Sequence, residues 1–140
     1  MDLLKQPYKI FLVDDDEDDC FLTSKVMSNL APCVDVDCIY RGDKMLQRLE
    51  VCDPADYPRL ILLDLNMPIL SGFEVLVRLK QHRLWRAIPV VIFTTSSDKR
   101  DEARSYELGA NLFLTKPSQL KEMEALFYRY KDAMRSPVQN

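Results

Sequence analysis

An open, doubly wound parallel sheet of the (βα)5 type is the fold class this sequence predicts, and three observations predict it. Short apolar runs alternate with stretches of helical periodicity without a break, the pattern of βα units joined by right-handed crossovers. Residues 60–63 (LILL) and 89–93 (PVVIF) are apolar throughout, as strands buried on both faces are. Four of the five runs end in polar groups, led by Asp14, Asp64, Thr94 and Lys116. In open parallel sheets, ligands bind beyond the carboxyl ends of the strands.

Taken in order, residues 8–13 (YKIFLV) read as the first strand, and six consecutive acids follow it at 14–19. Acids suit the positive end of a helix, and Leu22, Val26 and Leu30 continue it at four-residue spacing until Pro32 stops it. Residues 34–40 (VDVDCIY) alternate with period two, as a strand nearer an edge does. After the turn Arg41-Gly42-Asp43, a short amphipathic helix is marked by Met45, Leu46 and Leu49, and two prolines make 52–58 a loop. The third strand ends at Asp64 and its loop closes on Pro68. Ser71-Gly72 then opens a helix with Phe73, Val75, Leu76 and Leu79 on its apolar side, and residues 82–87 connect it to the fourth strand. Asp98 is the N-cap of a helix running to about Leu108, with Gly109 in the left-handed position after it. Residues 111–114 (NLFL) make the last strand. Leu120, Met123, Leu126, Phe127 and Tyr130 mark a closing helix before a frayed end, SPVQN.

Length and composition give one domain, residues 1–140, with no linker, repeat or low-complexity segment. A net charge of −3 without a basic patch argues against direct nucleic-acid binding. No apolar run approaches a membrane span or a secretory signal, so a cytoplasmic location is expected. Cys20, Cys33, Cys38 and Cys52 form no CxxC pair, and the single His82 lies far from all four. Reduced structural thiols are the expectation, not a zinc site.

The chemistry is expected at the strand ends. Asp14, Asp15 and Asp16 follow the first strand, Asp64 the third, Thr94 and Thr95 the fourth, and Lys116 the fifth. Carboxylates crowded together repel one another unless a cation sits among them, and Mg²⁺, a hard ion with oxygen ligands, answers that need. An EF-hand loop starting at Asp14 is excluded, since it would place Asp19 where Gly is required and Lys25 where Glu is required. A lysine, a hydroxyl and a metal converging on a carboxylate form a receptor for a phosphoryl group.

The segments FLVDDDEDD, LILLDLNMP…SGFEVL, IPVVIFTTSSD and LGANLFLTKP, in this order, resemble the receiver domain of two-component response regulators over nearly the whole chain. The resemblance implies a flavodoxin-like sheet with strand order 2-1-3-4-5. It implies Asp64 as phosphoacceptor, loaded from the phosphohistidine of a sensor histidine kinase and emptied by slow self-hydrolysis. Mg²⁺ would be held by Asp14, Asp15, Asp64 and the backbone carbonyl of Asn66, with Asp14 acting through a bound water. Thr94 would be the switch hydroxyl, Lys116 the phosphoryl-binding cation with a cis bond to Pro117, and Phe113 the aromatic switch position. IPVVIFTTSSD and ELGANLFLTKP resemble stand-alone receivers that serve phytochrome-type kinases, so no output domain is expected. A homodimer through the fourth helix, fifth strand and fifth helix is the family's habit.

Two residues depart from the family pattern. Thr95 adds bulk where the family usually has Ala or Gly. Phe113 has no hydroxyl, so its ring is expected to lie partly inward even before phosphorylation. Two other readings compete. A haloacid-dehalogenase-type phosphohydrolase also uses Asp, Thr, Lys and Mg²⁺, but it needs a second Asp two residues after its nucleophile. Asn66 stands there and cannot shuttle a proton. A degenerate receiver acting only as a protein-binding module would have lost site residues, whereas Asp14, Asp15, Asp64, Thr94 and Lys116 are all present.

Overall fold

In the computed structural model, which describes residues 8–31 and 33–135, five parallel strands form one sheet in the order β2-β1-β3-β4-β5. The strands are β1 (Tyr8–Val13), β2 (Val34–Ile39), β3 (Leu60–Leu63), β4 (Val90–Thr94) and β5 (Leu112–Thr115). The helices are α1 (Glu17–Leu30), α2 (Gly42–Val51), α3 (Gly72–Gln81), α4 (Lys99–Glu107) and α5 (Leu120–Arg135). Pro32 and the end segment SPVQN, from which a helix stop and a frayed terminus are expected, lie outside the described residues.

Strand alternation sorts the apolar side chains onto two faces. Phe11, Val13, Ile61, Leu63, Ile92 and Phe113 join a core with α2 and α3. Ile10, Leu12, Leu60, Leu62, Val91 and Phe93 join a second core under α1 and α5. The strand order reverses between β1 and β3, where the connections begin to run the other way across the parallel sheet, and that switch point opens a crevice above their carboxyl ends.

The α1 stripe differs from the expected one. Cys20, Thr23, Val26 and Met27 are buried, while Leu22 is 40% exposed. Counting only aliphatic residues passed over Cys20 and Thr23, which are small enough to sit directly against the sheet. The remaining boundaries shift by one or two residues. Pro89 lacks an N–H for the ladder, and β4 starts after it at Val90. Asn111 stays outside β5 because its side-chain oxygen accepts from the Val90 N–H (3.0 Å). Gly42 opens α2 instead of completing a turn, and the 82–87 connection carries a short 3₁₀ turn at Trp85–Ala87.

Helix ends follow local chemistry. Asp16 caps α1, Ser71 and Glu74 form a reciprocal capping box at α3, and Asp98 caps α4. Gly109 takes φ +106° after α4, the left-handed conformation that glycine adopts without a steric penalty. Among its described residues α4 buries only Ser105, so it is the helix least anchored to the core. No helix among the described residues is long and apolar enough to cross a membrane.

Candidate phosphoryl and metal site

The register of the sheet brings the site together. Val13 of β1 pairs with Leu63 of β3, so the next residues, Asp14 and Asp64, leave the sheet side by side. Backbone hydrogen bonds fix both, from the Asp14 N–H to the Ile39 carbonyl (3.1 Å) and from the Asp64 N–H to the Val13 carbonyl (3.0 Å). On the other flank Thr94 pairs with Thr115, and the Lys116 N–H donates to the Thr94 carbonyl (2.6 Å). Lys116 therefore enters the crevice from β5 and reaches across β4 to the acids.

Its ammonium donates to Asp14 Oδ2 in a short contact, to Asp19 Oδ2 at 3.2 Å and to Asp64 Oδ2 at 3.5 Å. Asp14, Asp64 and the Lys116 side chain are buried. Burial pushes the Asp14 carboxyl up, and its hydrogen bonds to Lys116 and to the Asp16 N–H offset this only in part. Burial alone would pull the Lys116 ammonium down. The Asp14 hydrogen bond and the charges of Asp64, Asp14 and Asp19 outweigh it and hold the ammonium above its usual range.

Asp14, Asp15 and Asp64 can each offer a carboxylate oxygen such that all three lie within 4.8 Å of one another. Asp15 is exposed, so the cluster opens to solvent on one side. Hard oxygen donors in this number suit a divalent ion that keeps several waters. The Asn66 N–H donates to Asp64 Oδ1 (3.4 Å), which turns the β3–α3 loop back over the acid. In that loop Ile69 takes φ +70°, a strained conformation for a β-branched residue.

Thr94 is fully buried at the end of β4, and its Oγ1 accepts from the Ser96 N–H (3.4 Å). Ser96 is a junction that sequence reasoning missed. Its hydroxyl donates to Asp101 of α4 (2.7 Å), and its carbonyl accepts from the Thr115 hydroxyl of β5 (2.9 Å). Thr95 is exposed. Phe113 is buried in the α2–α3 core, so its ring lies inward here, and its N–H donates to the Tyr106 hydroxyl of α4 (3.0 Å). One expectation is corrected. No peptide bond among the described residues is cis, so Lys116–Pro117 is trans, the form favoured before proline by about 0.5–1 kcal/mol. In sequence, Asp19 is one acid of the helix start among others. No short-range pattern could reveal its contact with a lysine 97 residues away.

Comparison with known proteins identifies the family. The family model of the response regulator receiver domain matches residues 10–128. The response regulator Rcp1 of Synechocystis sp. is 38% identical over 122 residues, 84% of this chain and 82% of that protein. The probable methanogenesis regulatory protein FilR2 of Methanothrix harundinacea is 30% identical over 130 residues, 91% of this chain and 84% of its own. The phosphorylated cyanobacterial phytochrome response regulator RcpA superposes with a TM-score of 0.85 at 31% identity, covering 95% of this chain and 97% of that one. The Mn²⁺-bound form of Rcp1 gives 0.78 at 33%, covering 95% and 98%. With the buried acids, the reaching lysine and the 2-1-3-4-5 sheet all in place, the chain belongs to the response regulator receiver domain family.

Proposed function

We propose that Asp64 accepts a phosphoryl group from the phosphohistidine of a sensor histidine kinase. The observation that carries this is the buried Asp64 carboxylate, set beside Asp14 and 3.5 Å from the Lys116 ammonium. In the transfer an Asp64 carboxylate oxygen bonds to phosphorus while the phosphorus–nitrogen bond breaks, and the imidazole keeps the electron pair and takes up a proton. Lys116 neutralises charge on the phosphoryl oxygens. Asp14, Asp15, Asp64 and the Asn66 carbonyl would hold Mg²⁺, which when bound offsets the charge of the acids and of the incoming group. Likeness to the cyanobacterial phytochrome response regulator RcpA supports a kinase of the phytochrome type. Incubation with acetyl phosphate and Mg²⁺ is expected to add one labile phosphoryl group to the intact protein and none to Asp64→Asn. Rapid turnover of acetyl phosphate with no phosphorylated protein accumulating would instead indicate a phosphohydrolase.

The signal leaves through Thr94. Its hydroxyl turns to a phosphoryl oxygen, because charge-assisted hydrogen bonds are about twice as strong as neutral ones. Ser96, which donates to Thr94 and also holds α4 and β5, must then readjust. Phe113 already lies inward, so less of the change is left for ring rotation. The output surface we infer is α4–β5–α5, where β5 is an edge strand and Tyr106, Leu120 and Tyr128 are 43%, 52% and 61% exposed. A homodimer through this face is the expected readout. Light scattering should show the mass doubling with beryllofluoride, and a monomer under both conditions would refute it.

A further inference from the structure

Lys116 has more partners than a phosphoryl-binding lysine in this site requires. An ammonium carries three N–H donors, and here the three nearest acceptors are all carboxylates, on Asp14, Asp19 and Asp64. A phosphoryl oxygen arriving on Asp64 needs one of those donors, so one present partner must yield. Asp14 cannot do so cheaply. It is 2% exposed, and without the ammonium its charge would be left buried. Asp64 is the acid that carries the phosphoryl group and stays beside the ammonium. The Asp19 side chain is 37% exposed, stands in the first turn of α1, and can return to water at little cost.

We propose that Asp19 is a displaceable counter-ion of Lys116 that competes with the phosphoryl group for the ammonium and so weakens the site's hold on it. Asp19 is a positioning residue in this role, acting on the phosphoryl group only through Lys116. In the resting site it satisfies the third ammonium donor. Its backbone is pinned by the N-cap, since the Asp19 N–H donates to Asp16 Oδ1 at 3.1 Å, so the carboxylate returns to the same place when the phosphoryl group leaves. The inference rests on Asp64 being the phosphoacceptor.

Asp18 provides a matched control. It is the preceding acid in the same helical turn, it is exposed, and it is not among the ion-pair partners of Lys116, which are Asp14, Asp19 and Asp64. Beryllofluoride, a phosphoryl mimic that forms no lasting covalent bond, is titrated at saturating Mg²⁺ into wild type, Asp19→Asn, Asp19→Glu and Asp18→Asn. Asp19→Asn is expected to bind it about two- to fivefold more tightly, the range of a partly exposed ion pair. Asp18→Asn should stay at the wild-type value, and Asp19→Glu should return towards it. Loss of a carboxylate that merely helped the metal would act in the opposite direction. Unchanged or weaker binding by Asp19→Asn, or an equal gain in Asp18→Asn, overturns the inference alone. A wild type that binds no beryllofluoride overturns the phosphoacceptor reading and this inference with it.

Discussion

Lys116→Met is expected to lose about 3–5 kcal/mol of folding stability in metal-free buffer at neutral pH, because it removes one partner of a buried charge pair and strands the other. Methionine keeps most of the side-chain volume, so the loss reports charge and not a cavity. Asp14 would be left with only the Asp16 N–H (3.0 Å) as hydrogen-bond donor and with Asp64 as a charged neighbour. The pH dependence has a definite sign. Burial already raises the Asp14 carboxyl, and loss of Lys116 removes the main influence lowering it. Between the unfolded value of about 3.9 and the raised folded value, the folded variant holds a proton that the unfolded chain does not. Its stability therefore rises as pH falls through the folded value. Wild type carries the same sign from Asp14 to a smaller extent, because Lys116 offsets part of the rise, and its Lys116 ammonium is held above the ordinary range. That contribution is complete below the unfolded value of about 10.4 and is lost only as pH rises through the folded one. Urea melts of both proteins across pH 4–8 read this directly (roughly the span in which a raised carboxyl titrates). A deficit below about 1 kcal/mol at pH 7, or one that grows on acidification, would contradict it.

Much of this site was legible because the chain writes it at the ends of strands. Apolar runs of the β3 and β4 kind permit few foldings, and once the sheet is parallel the residues after each strand must gather on one edge. Asp14, Asp64, Thr94 and Lys116 could thus be assembled on paper, and the register Val13–Leu63 and Thr94–Thr115 places them so. Less legible were the contacts that depend on side-chain reach. In sequence Asp19 is one more acid in a first helical turn, and nothing around Ser96 or Tyr106 marks the contacts they make. Their roles come from the approach of α1, α4 and β5 in three dimensions, which no periodicity encodes. The α1 stripe departs from its aliphatic pattern for a different reason. Burial there selects for fit against the sheet, so Cys20 and Thr23 lie inside while the larger Leu22 remains half outside.

Gly72→Ala is expected to cost about 3 kcal/mol or more and to loosen the site as well, because the added methyl group would meet backbone that cannot rotate away. A Cβ at this position would stand 2.2 Å from the Asp64 carbonyl oxygen, 2.6 Å from Leu65 Cα and 2.9 Å from the Asp64 carbonyl carbon. The start of α3 is drawn this close by the bond from the Gly72 N–H to the Leu65 carbonyl (2.9 Å) and by the Ser71–Glu74 capping box. The clash resolves only if the helix start retreats or the Asp64 backbone shifts. A displacement of about 1 Å at a reacting group is enough to lose roughly 100-fold in rate. Gly109→Ala separates the two effects. There the residue sits at φ +106° and the nearest atoms belong to the flexible stem of Lys80, remote from the acids. That variant should lose about 1 kcal/mol through backbone strain and keep its phosphorylation rate. Urea melts paired with acetyl phosphate labelling test both variants. A Gly72→Ala protein within 1 kcal/mol of wild type and labelled at the wild-type rate would show that the α3 start does not position Asp64.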